Sequence, residues 1–172
     1  MDGNPNMIDS LFVDDDKIIF IDEIGRLVRT NRKIFLSQKC FHTFRGMAHS
    51  HISRLKNRER IGNRSLLIQK YGYDVKDASH IVRLIFELKQ IMTEGDLNLT
   101  RNKEIVFGVK NGEWSKQEVV SFFEEQMIVL ENINKDNKSV VRYSPDEKKI
   151  KKLLIDCLEI SYGSLSNIGF KK

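Results

Sequence analysis

Val75 to Met92 reads VKDASHIVRLIFELKQIM, and this stretch decides the fold. Ala78, Ile81, Val82, Ile85, Leu88 and Met92 recur at the spacing of one helical face. At about 100° per residue they form a single apolar stripe, the mark of a helix packed on a core. Gly95 ends the pattern. Lys76, His80, Arg83 and Glu87 fall in a second stripe, roughly opposite the first. The sequence therefore predicts that Lys76, His80 and Arg83 project together, away from this helix's own buried face.

Helical punctuation continues on both sides. Upstream, Asn4 and Pro5 open a short helical turn through Phe12, since proline suits the first helical position. Asp14 to Asp16 is a turn, and Lys17 to Ile21 is too short for periodicity to separate a brief strand from an extended lead-in. Asp22 to Leu36 and Gln38 to Lys56 fit two helices, the second capped by Ser37, and Ser65 to Lys70 fits a shorter one before Tyr71 and Gly72. Downstream, Thr100 to Val109 is helical and is broken by Asn111 and Gly112. Ser115 with Glu118 forms a capping box for a helix through about Ile133. Ser144, Pro145 and Glu147 start a last helix, which Gly163 stops. The expectation is an all-α fold: one domain over residues 1–172, with about six or seven helices and at most a short extended segment at 17–21.

Composition narrows the class. The chain has 172 residues, 40% of them hydrophobic and only two of them proline, which suits one domain with its own core. No apolar run approaches the roughly 18 residues needed to span a membrane, so no membrane role is expected. Met1 is followed by Asp2 and Gly3, unlike the basic and apolar start of a secretory signal. Cys40 and Cys157 stand alone within apolar helical patterns and read as reduced packing residues of a cytoplasmic protein.

The net charge is +5, unevenly placed. Met1 to Gly25 carries Lys17 against seven acids, whereas Arg26 to Lys76 carries thirteen basic residues against Glu59 and Asp74. From Asp77 onward the signs balance at fifteen each. Such a surplus suits a polyphosphate or nucleic acid, and it is densest at Arg54, Lys56, Arg58, Arg60 and Arg64. Solvated helix faces are the plainer alternative. In the Lys76, His80 and Arg83 stripe, lysine offers a mobile point charge, arginine a planar fork, and histidine a donor or an acid–base near neutral pH. Periodicity alone reads that stripe as a solvated charged face. His42, His49 and His51 cluster, but the segment holds no acid and no metal-ligand spacing, so no metal site is expected there.

Several blocks in order carry a resemblance. Asn4-Pro5-Asn6 leads, and Phe35-Leu36-Ser37-Gln38-Lys39 and Thr43-Phe44-Arg45-Gly46 follow. Lys76, His80, Arg83 and Leu84 then stand in a K-x-x-x-H-x-x-R-L pattern, and Gly112, Glu113 and Ser115 in a G-E-x-S pattern. Together these resemble the downstream half of a nucleotidyltransferase family with a DNA-polymerase-β-like catalytic domain, the RlaP type of bacteria and large phages. The likeness runs over residues 1–133 and is less clear over 134–172. Gln38 replaces the family's first Lys of the F-L-S-K-K block, and Met47 its Tyr after T-F-x-G.

The resemblance implies that Lys39, Arg45, Lys76, His80 and Arg83 face a nucleotide or acceptor cleft and contact phosphate. It also implies a catalytic half with a Gly-Ser turn and an Asp-x-Asp strand that hold magnesium. Asp14 and Asp16 have the spacing but no preceding Gly-Ser, and after Gly163-Ser164 no acid follows. No catalytic residue and no cofactor is therefore assigned to this chain, and magnesium is expected only with the missing catalytic domain. Two functions are expected in turn. One is the substrate-binding helical region of a nucleotidyltransferase, whether a natural truncation, an internal-start product or an excised domain. The other is a stand-alone, phage-borne interaction protein that inhibits or regulates a protein or nucleic-acid target.

Overall fold

A computed structural model describes residues 11–57 and 63–164. Those residues form seven α-helices and no strand. They are α1 (Glu23–Thr30), α2 (Cys40–Asn57), α3 (Asn63–Tyr71), α4 (Val75–Glu94), α5 (Lys103–Lys110), α6 (Lys116–Lys135) and α7 (Glu147–Tyr162). Two 3₁₀ turns, Asp15–Lys17 and Arg32–Phe35, precede and follow α1.

The bundle is built around α4, which packs against α2, α5 and α6. Its predicted stripe is the centre of the core: Ala78, Ile81, Val82, Ile85, Leu88 and Met92 are all essentially inaccessible to solvent. Each large side chain buried this way contributes about 1.5–3 kcal/mol. Phe41, Ala48, Ile52 and Leu55 of α2 and Val119, Phe123, Met127 and Leu130 of α6 close over it. The ends of α4 are satisfied from outside the helix. Asp74 caps the start, accepting from the backbone N–H groups of Lys76 and Asp77. Gly95 ends it at φ +65°, and the orphan carbonyl of Met92 accepts from the Val140 N–H at 3.0 Å and the Ser139 hydroxyl at 3.1 Å.

The all-α expectation holds, and so do the capping box at Ser115 and Glu118 and the stop at Gly163. Four local readings change. The helix expected from Thr100 starts at Lys103, after a turn in which the Lys103 N–H donates to the Thr100 carbonyl at 3.1 Å. The helix expected over Asp22 to Leu36 stops at Thr30, because the Asn31 side chain donates to the Leu27 carbonyl at 2.8 Å and turns the chain into 3₁₀ geometry. The helix expected from Gln38 starts at Cys40. Gln38 is buried and drawn outward, its backbone N–H bonded to the Arg142 carbonyl and its side-chain amide to the Val141 carbonyl, both at 2.9 Å. The last helix is capped by Asp146, which accepts from the Lys149 N–H, and not by Ser144. Lys17 to Ile21 forms no strand, since Lys17 closes the first 3₁₀ turn and Ile19 and Phe20 are fully or largely exposed. The turn expected from Asn4 lies mostly outside the described residues.

Candidate functional site

The outer stripe of α4, with Lys76 and Arg83 exposed and His80 half-buried, borders a concavity. Lys76, His80 and Arg83 line one wall of a cavity of about 240 Å³, and α5 supplies the facing wall through Lys103, Phe107 and Lys110. Phe86, Leu99 and Val106 form apolar floor, and Asn102 adds a side-chain amide. Glu87 is the cavity's one carboxylate, with the Arg83 Nε 3.7 Å away. Lys76, Lys103 and Lys110 have no ion pair among the described residues, and the ammonium groups of the last two lie over the Phe107 ring. Cations without counter-charges beside aromatic faces suit an anionic ligand that also carries a flat ring.

Behind His80, the α2–α4 seam holds a second group. The Asp77 carboxylate is 1% exposed. It meets the His51 Nδ1 at 2.9 Å and the Arg54 Nε at 3.5 Å, both from α2. His51 and Arg54 also approach each other, with an Arg54 guanidinium nitrogen 2.6 Å from the same Nδ1. One ring nitrogen cannot give its proton to Asp77 and also accept from Arg54, so the carboxylate organises both donors. The His51 and His80 rings lie 5.2 Å apart, centre to centre, tilted by 35°.

Electrostatics follow from this crowding. Burial, then the neighbouring Arg83 and His51, push the His80 pKa below the ordinary histidine value. His80 is therefore a neutral imidazole at neutral pH. Its Nδ1 faces an Arg83 guanidinium nitrogen at 3.4 Å, which leaves the proton on Nε2.

Not every expected contact joins this site. Arg45 turns to the other side of the bundle and pairs with Glu131 of α6 at 2.9 Å, and neither it nor exposed Lys39 lines the cavity. Lys56 pairs with Glu124 of α6 at 3.1 Å. Arg54, expected among the nucleic-acid-binding cations, is tied to buried Asp77. Arg58 and Arg60 lie outside the described residues, as does the side chain of Arg64.

The remaining candidates take structural places. Asp14 accepts from Lys17 at 2.6 Å, from Asn98 at 2.8 Å and from the Thr100 hydroxyl, pinning the N-terminal segment to the α4–α5 connection. Cys40 is a free thiol whose pKa burial pushes up to about 11, so it is inert. His42 and His49 set their edges against Phe41 and Phe123. Trp114 packs across Phe122 at 5.4 Å.

Sequence reasoning missed Asp77 and the α5 wall. Asp77 stands four residues before Ile81, hence about 40° from the core stripe, and that offset was a legible signal of burial. Lys103 and Lys110 gave none, because only the packing of α5 on α4 brings them to His80.

The family profile described as RlaP, RNA repair pathway DNA polymerase beta family, matches residues 1–106. The chain belongs to the RlaP family. The RlaP match covers α1 to α4 and reaches Val106 in α5, so it includes the whole α4 wall of the cavity. It stops before Lys110, α6 and α7, whereas the resemblance read from the sequence runs on to residue 133. No curated protein and no solved structure matches the chain. Among the described residues, no helix is long and apolar enough to cross a membrane.

Proposed function

We propose that this chain is the substrate-handling helical part of a polymerase-β-like nucleotidyltransferase, binding nucleotide or nucleic acid through the α4–α5 cavity. The observation that carries the reading is the convergence of Lys76, His80 and Arg83 with Lys103 and Lys110 around one concavity floored by Phe86. The cations meet phosphate, and the rings of Phe86 and Phe107 offer faces on which a base stacks.

The metal-dependent transfer step is assigned to a catalytic centre outside this chain. Asp14 and Asp16 do not fit a magnesium pair. The Asp14 oxygens are already taken, Oδ1 by Asn98 and Oδ2 by Lys17 and Thr100. Among the described residues no three acidic, histidine or cysteine side chains gather as ligands.

The test is binding of a labelled single-stranded RNA, followed by fluorescence anisotropy across a salt series. Each phosphate contact steepens the log–log salt dependence by about 0.7 for a single strand. Lys76→Ala, Arg83→Ala and Lys110→Ala should each weaken binding and flatten that slope, while Arg45→Ala should not. Binding indifferent to salt and to the three cavity changes refutes the reading. A regulator acting through protein contact would instead use exposed Ile19 and Phe20, and their replacement by serine would then abolish activity that the cavity variants keep.

A further inference from the structure

We propose that the His51–His80 pair, set among Arg54, Lys76 and Arg83, selects a terminal phosphate, a phosphomonoester, over the internal phosphodiesters of a strand. This deepens the reading of the α4–α5 cavity as a phosphate site and rests on it.

The charges around His80 come from three helices. From α2 come His51 and Arg54; from α4 come Lys76, Arg83, Asp77 and Glu87; from α5 come Lys103 and Lys110. The two carboxylates are engaged by Arg54 and Arg83, so a positive surplus remains that the single charge of a diester leaves largely unmet. A phosphomonoester carries about −1.5 to −2 at pH 7, because its second pKa is near 6, and it presents three terminal oxygens.

The imidazoles add what fixed cations do not. His80 lines the cavity and carries its proton on Nε2, a donor left over after Nδ1 has met Arg83. His51 is held in place by a carboxylate that is itself buried. Such an arrangement keeps a histidine oriented. Burial, and after it the repulsion from Arg83, disfavours a proton on His80; a dianion beside the ring offsets both, and the ring takes up a proton. A diester, with one charge and no titration near neutrality, drives that uptake more weakly. The site therefore rewards the ligand that brings a second negative charge.

The experiment uses the full chain and RNA oligonucleotides of one sequence, bearing a 5′-phosphate, a 3′-phosphate or neither, with a fluorophore at the other end or internally. The expected result at pH 7 is at least about tenfold tighter binding of one phosphorylated form, the equivalent of one charge-assisted hydrogen bond. His80→Gln should bring that ratio close to one, with the phosphorylated strand losing more affinity than the unphosphorylated one. Competition by a nucleoside monophosphate as strong as by the phosphorylated strand places the phosphate on a free nucleotide; weak competition places it on a strand end. In parallel, the imidazole Hε1 resonance of His80 should titrate at higher pH on adding inorganic phosphate, and not on adding chloride to equal ionic strength. Equal, salt-dependent binding of all three oligonucleotides, with a His80 titration indifferent to phosphate, overturns this inference and leaves the cavity reading standing. No binding of any strand or of phosphate overturns both.

Discussion

Replacing Asp77 with asparagine is the most informative change to make to the scaffold beneath the site. The side chain keeps its shape, so no cavity opens. Asparagine still accepts one hydrogen bond through its carbonyl, but its NH₂ now meets a second donor, since both His51 and Arg54 point at this carboxylate. Breaking a fully buried ion pair costs about 3–5 kcal/mol. Arg54 is 28% exposed and can recover part of its hydration, which lowers the cost to about 2–3 kcal/mol. At about 2–4 °C per kcal/mol for a chain of this size, the melting temperature should fall by about 4–12 °C. Circular dichroism at pH 7 measures it, and a urea series checks that the slope is unchanged, so that the shift reports stability and not a new denatured state. Because the pair is buried, 0.5 M salt should narrow the difference little. A melting temperature within about 1 °C of the parent chain would refute the claim that this carboxylate is buried between two donors.

Two further outcomes test the frame around the cavity. Gly112 sits at φ +81°, and a Cβ there would lie 2.2 Å from Tyr71 Cδ1, so Gly112→Ala should destabilise by more than the roughly 1 kcal/mol of the backbone conformation alone, read by the same melts. The Asp14 pKa is lowered to about 2, chiefly by its bonds to Lys17 and Thr100. A carboxylate held below its unfolded value contributes stability that is complete above that value, near 3.9, and is lost as pH falls through about 2. Backbone amide exchange around Asp14 and Thr100 should accordingly accelerate between pH 4 and pH 2 more than intrinsic rates require, and Asp14→Asn should remove that acid-dependent component.

What the sequence made legible was whatever depends on a single helix. The core stripe of α4, the stripe of Lys76, His80 and Arg83 opposite it, and the Ser115 capping box are all local periodicities or local hydrogen bonds, and each stands where it was expected. What escaped depends on pairs of elements distant in sequence. Arg45 shares its helix with Arg54, yet one meets Glu131 of α6 and the other meets Asp77 of α4, and no helical period separates those two fates. Gln38 left its helix because Val141 and Arg142 lie beside it, a neighbour relation across the length of the domain. The site is thus half a local feature and half a product of docking.

The meeting of α1 with α7 has a kinetic consequence. These are the first and last α-helices of the described chain, and they touch each other and the 3₁₀ turn at Arg32–Phe35. Helices α4 and α5, by contrast, are joined by a short connection and find each other locally. Loop-closure entropy grows with the length of chain enclosed, so the pairing of α1 with α7 is the costliest contact to form by diffusion and is rewarded only after α2, α4 and α6 have condensed. The α4–α5 cavity therefore belongs to the part of the chain that organises early. The ring from α1 to α7 closes behind it, and substitutions along that seam should speed unfolding more than they slow refolding.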